Sequence, residues 1–193
     1  MRINGAIATG ALLATIVAPA AKADGTFLQA DFSTETAVAV GSVTRDRLTF
    51  GSVLSSSGDE AQLAVSTGYT LYSADGTSLK IGPSAKIEHE AGDGFDNGEI
   101  GLKLVADHYR ATGFGGLYGQ VEYDTIDSAW FVLAQANISS AGLAIEVSRG
   151  GSDTYDDAAL AVSKRIPDTR LSLRAGCRFL SEDVFVGVSF NTF

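Results

Sequence analysis

The chain has 193 residues, 45% of them hydrophobic, with 14 basic against 23 acidic side chains and a net charge of −9. That acidic balance excludes nucleic acid as a partner, because nothing would neutralise its phosphates. The single Cys177 excludes an internal disulfide, and the lack of a second long apolar run excludes a helical membrane protein.

The chain opens with Arg2, an apolar run over 6–21 and the triplet Ala21-Lys22-Ala23. A cation, a short apolar core and an A-x-A site form the pattern of a secretory leader. The expected division is a signal peptide over 1–23 and one domain over 24–193. Removal of Arg2 and Lys22 with the leader takes the net charge to −11.

From there the period is two almost everywhere. TFLQADF, TAVAVGSV and RLTFGSVL come first, and QLAVSTGYTLY then groups Leu63, Val65, Tyr69 and Leu71. In LKIGPSAKIEHE, Leu79, Ile81, Pro83, Ala85, Ile87 and His89 share one face. Lys80, Gly82, Ser84, Lys86, Glu88 and Glu90 share the other. EIGLKLVADHYR sets Ile100, Leu102, Leu104 and Ala106 against Glu99, Gly101, Lys103 and Asp107. LYGQVEYD, WFVLAQANI, GLAIEVS, DAALAVSK, RLSLRAGCRF and VFVGVSFNTF continue the alternation to the last residues. About twelve such segments predict an all-antiparallel β fold.

A soluble sandwich and a membrane barrel both alternate. Here the polar faces carry mid-strand Lys80, Lys86, Lys103, Glu122, Glu146, Arg174 and Arg178, interspersed with glycines, as a crowded wet interior would. The segments also follow one another as hairpins without a long crossover. The prediction is a closed antiparallel transmembrane β-barrel of about twelve strands, with ten or eight as the alternatives.

Assigning alternate connections to opposite ends separates the charges. The set beginning with STET, and including SSSGDEA, EHEAGDGFDNGE, DTIDSA, GGSDTYDD and SED, holds about fifteen acids and no Lys or Arg. The other set (VTRDR, SADGTS, DHYRATGFGG, ISSA, KRIPDTR) holds about six basic and four acidic residues. The first set is the longer on the whole and is expected to face outward. Tyr123, Trp130 and Phe131 near the outer ends, and Tyr72, Tyr109, Phe114, Tyr118 and Phe190 near the inner ends, are expected to form two aromatic girdles.

The closing Val186-Gly187-Val188-Ser189-Phe190, followed by Phe193, resembles the C-terminal signal of Gram-negative outer-membrane proteins. Its pattern is hydrophobic-Gly-hydrophobic-x-aromatic. Phe190 and Phe193 are three apart and fall on opposite faces of a regular strand. The domain as a whole resembles the outer-membrane porins and small barrels, and its last hairpins are similar in pattern to alphaproteobacterial porins. The resemblance implies residence in the cell outer membrane, contact with lipid and lipopolysaccharide, and delivery by the barrel-assembly machinery through Val186, Gly187, Val188, Phe190 and Phe193. It also implies a passive channel for ions or small solutes. A non-conducting structural or surface-interaction barrel is the alternative.

No catalytic residue, cofactor or metal is expected. His89 and His108 have no adjacent nucleophile motif, and no G-x-S-x-G occurs. The acidic loops over 93–99 and 150–157 do not match a calcium-binding loop. The candidate lumen residues are Lys80, Lys86, Lys103, Glu122, Glu146, Arg174 and Arg178. Mid-strand basics outnumber the mid-strand acids Asp31, Glu122 and Glu146, so the deep lumen is expected to be slightly basic behind an acidic mouth.

Overall fold

The computed structural model describes residues 23–92, 94–95 and 98–193. The predicted leader therefore lies outside the described residues except for Ala23, where the first strand begins.

Thirteen strands follow in order: β1 Ala23–Phe32, β2 Thr36–Arg45, β3 Leu48–Ser57, β4 Glu60–Ala74, β5 Thr77–Glu90, β6 Gly94–Phe95 and β7 Glu99–Thr112. They continue as β8 Gly115–Asp124, β9 Trp130–Ile138, β10 Leu143–Gly151, β11 Asp156–Arg165, β12 Leu171–Arg178 and β13 Asp183–Asn191. The two-residue β6 only extends the rim beside β5. The other twelve each pair antiparallel with their neighbours, and β13 pairs with β1, so the sheet closes on itself. It is a twelve-stranded antiparallel barrel, as the alternation predicts.

Closure follows from the sequence pattern. An outward apolar row on every strand has no second layer to cover it, and a sheet surrounded by lipid can leave no edge unpaired. The outward residues are exposed: Leu102 and Leu104 on β7, Val162 on β11, Leu173 on β12, and Val184, Val186 and Val188 on β13. Their sequence neighbours Lys103, Ser163, Arg174, Phe185 and Gly187 turn to the interior and are covered.

Tight turns keep the wall continuous. Asp75 and Gly76 both adopt positive φ, 49° and 77°, in the two-residue loop between β4 and β5. That geometry matches the twist of a hairpin, and Asp-Gly supports it with little strain. Leu71 is an extra residue at the register shift between Thr70 and Tyr72, and both Leu71 and Tyr72 face outward in exposed positions.

Two expectations need correction. DHYRATGFGG is not a long connection: β7 runs to Thr112 and β8 starts at Gly115, which leaves a two-residue turn. Backbone pairing at a taller inner rim carries the strands past the point where the hydrophobic alternation fades. The girdle also loses three members. Tyr118 pairs opposite Tyr109, and Phe131 opposite Glu122, all on the interior face. Tyr72, Tyr123, Trp130 and Phe190 remain outward.

The end of the chain keeps strict alternation. Asn191 stands opposite Phe27 on the interior face, and the Phe193 ring lies against Gly25 at the inner mouth, in the space a Cβ there would occupy. The outward row therefore ends at Phe190.

Because Val162 sits mid-strand in the outward row, Val162→Arg should lower stability by about 2–4 kcal/mol, the usual cost of a cation near the bilayer midplane. Val162→Ile should be neutral. Urea titration in lipid or detergent, followed by heat-modifiable gel mobility, reads both.

Candidate functional site: the barrel interior

All seven predicted lumen residues face inward, and the structure joins each to a partner. Lys80 on β5 reaches Asp107 on β7 at 2.5 Å, and Lys103 reaches Glu122 on β8 at 2.5 Å. Lys86 contacts Glu88 and Glu99 at 3.1 Å each, and also Asp127. Arg174 contacts Asp31 at 2.9 Å and Glu146 at 3.1 Å. Arg178 meets Asp183 at 3.0 Å and donates to Thr36 Oγ1 at 2.7 Å.

The Arg174 group is the most enclosed. Its side chain is 5% exposed, and those of Asp31 and Glu146 are 6% and 12% exposed. Arg174 belongs to β12, Asp31 to β1 and Glu146 to β10. One guanidinium thus links five consecutive strands across the junction of the first and last. It reaches Asp31 by crossing β13 at Gly187, which stands opposite both residues in register. A Cβ on Gly187 would collide with Asp31 Oδ1 and the Ala30 carbonyl. Ala161 on β11, 2% exposed and opposite Glu146, gives similar clearance on the other side.

Phe185 fills the space beside this group. It is 2% exposed, with the Arg174 guanidinium 5.5 Å and that of Arg178 4.9 Å from its ring centroid. A cation held over an aromatic face is attracted to the ring quadrupole. The sequence placed Phe185 on the polar face without marking it as functional. Its signal was a lone large aromatic among Asp183, Gly187 and Ser189.

A polar ladder continues along β8 and β9. Tyr118 donates to Gln120, Gln120 donates to Glu122 at 2.5 Å, and Asn137 donates to Gln135 at 3.3 Å. Across the interior, β2 and β3 present Val38, Val40, Ser42, Gly51, Val53 and Ser55, a neutral wall.

The expected basic interior is not what the register gives. Facing inward with the five basics are Asp31, Glu88, Glu99, Asp107, Glu122, Asp124, Glu146, Asp157 and Asp183. Acids outnumber bases. Several of these lay in segments read as loops, and the longer strands bring them into the wall.

The two histidines stand near opposite ends of the wall, His89 toward the end of β5 and His108 opposite Thr77 at its start. His108 Nδ1 lies 2.8 Å from Thr77 Oγ1 on the outer surface near the inner rim, and among the described residues no acid is hydrogen-bonded to it. His89 Nδ1 lies 2.9 Å from the Gly94 carbonyl oxygen.

No protein-family model matches the chain, and no curated protein matches it. Among solved structures, it is similar to the KdgM porin, with a TM-score of 0.57 and 11% identity over 88% of this chain and 99% of that one. The two share a barrel fold. The KdgM porin in complex with disordered oligogalacturonate gives a TM-score of 0.54 at 10% identity, with the same coverage. The outer membrane protein OpdK from Pseudomonas aeruginosa aligns at a TM-score of 0.35 and 12% identity, over 86% of this chain and 61% of that one.

Arg174→Met should cost about 3–5 kcal/mol, because it leaves two buried carboxylates without their cation. The triple replacement Asp31→Asn, Glu146→Gln and Arg174→Met should recover most of that loss. Unfolding followed through the single Trp130 compares the two.

Proposed function

We propose that the chain forms a passive, porin-like channel for ions or small solutes in the outer membrane of a Gram-negative bacterium. The observation that carries this reading is a closed twelve-stranded wall, apolar outside, around an interior of charged and polar side chains. Lipid accounts for the outside, and water with passing solutes accounts for the inside. The closing Val186-Gly187-Val188-x-Phe190 pattern supports delivery by the barrel-assembly machinery. Phe193, against Gly25 at the inner mouth, stands apart from the lipid-facing part of that pattern. The similarity of the last hairpins to alphaproteobacterial porins supports an origin in that group. No catalytic role is assigned.

The inward acids decide the preference. The five basics are each neutralised by at least one carboxylate at 3.1 Å or closer, so the field along the path is set by the acids in excess. The acidic outer connections add a negative mouth that concentrates cations. The chain should therefore pass cations and neutral solutes in preference to anions, and the preference should persist in high salt. An acidic oligosaccharide, the ligand in one KdgM structure, is disfavoured.

A non-conducting barrel is the second reading. Phe185 and the Arg174 ion pairs favour it, because they fill interior space beside β10–β13.

Purified protein in planar bilayers should show discrete conductance steps and a cation-directed reversal potential in asymmetric salt at every ionic strength. Correctly folded, heat-modifiable protein that never conducts would establish the second reading. An anion-directed potential would overturn the account of the inward charges.

A further inference from the structure

The connection between β8 and β9, residues 125–129, does not stand out from the rim. Thr125 first lengthens the wall past the end of β8: its amide donates to the Leu102 carbonyl at 3.1 Å, and its Oγ1 accepts from the Leu102 amide at 2.9 Å. The chain then turns inward through a short 3-10 turn, Ile126–Ser128. Ile126 is 7% exposed, and its side chain lies over the interior face of Gly101, where a Cβ would come within 2.6 Å of Ile126 Cγ1.

Asp127 travels further. Crossing the interior face of β7, it meets Lys86 on β5, two strands away from its own hairpin. Asp124 fixes the start of this path, accepting from Ser84 Oγ at 2.8 Å and from the Ile126 amide at 3.0 Å. From outside, the Asp153 amide donates to the Asp127 carbonyl at 2.9 Å. The segment is held from both sides.

We propose that residues 125–129 form the constriction of the outer mouth, and that Lys86 sets its ionic preference. Lys86 does so in two ways. It holds Asp127 over the wall, and it answers part of the charge of Glu88, Glu99 and Asp127, which otherwise stand as three carboxylates at one point of the path. An ammonium tethered in a carboxylate group competes with passing cations for the same oxygens, so the mouth repels anions without gripping cations tightly. The inference rests on the channel reading for its consequence, but not for the position of the segment.

Position and consequence are tested separately. In a Cys177→Ser background, Gly101→Cys with Ile126→Cys brings two thiol side chains into contact, because a Cβ at 101 lies 2.6 Å from the Ile126 Cγ1 position. The bond should form in folded, heat-modifiable protein, with conductance within about twofold of the reduced form, because the segment already lies there. Lys86→Met should raise the cation-to-anion permeability ratio by roughly threefold or more, and Lys86→Arg should hold it at the original value. A purely structural role for Lys86 would alter stability and leave the ratio where it was.

A folded barrel that forms no disulfide would overturn the placement of the segment. A conducting Lys86→Met channel with an unchanged ratio would overturn the role of Lys86. Disulfide formation without conductance in any variant would leave the placement standing and remove the channel reading instead.

Discussion

Backbone amides and carbonyls surrounded by hydrocarbon must find partners within the protein, and a sheet can satisfy them only by having no edge. That requirement makes the β1–β13 pairing the condition for the other eleven. It also divides the side chains. Once the ring is closed, every second residue faces outward with no protein layer over it, and the rest share one enclosed space. The sequence answers with Leu, Val and Ile on the first row and with charge, amide, hydroxyl and glycine on the second.

The enclosed space brings its own electrostatic rule. A charge there is partly removed from water, so leaving it alone is costly, while pairing it uses up its long-range field. Lys80, Lys103 and Arg178 take partners on an adjacent strand, which is inexpensive in geometry. Arg174 reaches across Gly187, and Lys86 meets a connection that packs Asp124, Thr125 and Ile126 over Gly101. Those two long contacts brace the wall in different places. One crosses the junction of first and last strands, and the other draws a connection into the mouth.

Much of this architecture was legible from alternation alone. LKIGPSAKIEHE and EIGLKLVADHYR fall on the two faces as read, and all twelve wall strands coincide with twelve alternating segments. Alternation reports which side a residue faces, but not how far a strand continues once its apolar row gives out. Asp183 was therefore read as part of a connection although it stands in the wall beside Arg178. Nor does alternation report partners beyond the adjacent strand. Asp31 with Arg174 and Lys86 with Asp127 are set by barrel curvature, which no local window contains. Tyr118 and Phe131 were misplaced because aromatics near strand ends suit a membrane interface and a lumen wall equally well. A glycine in the middle of an inward charged row, as at 101 and 187, was the available sign of another side chain packing over it.

Gly187 belongs to two patterns at once, the closing motif of the chain and the clearance beneath the Asp31–Arg174 contact. Positions 31, 174 and 187 lie on three different strands, yet none is free to vary alone. A side chain at 187 would meet both Asp31 Oδ1 and the Ala30 carbonyl, so it needs a shorter residue at 31 together with a shift of the β1 backbone, and a shorter residue at 31 leaves Arg174 with Glu146 as its remaining carboxylate. Among related chains these three positions should change as a set. Lineages that have lost the arginine should be the ones in which the terminal strand carries something other than glycine there.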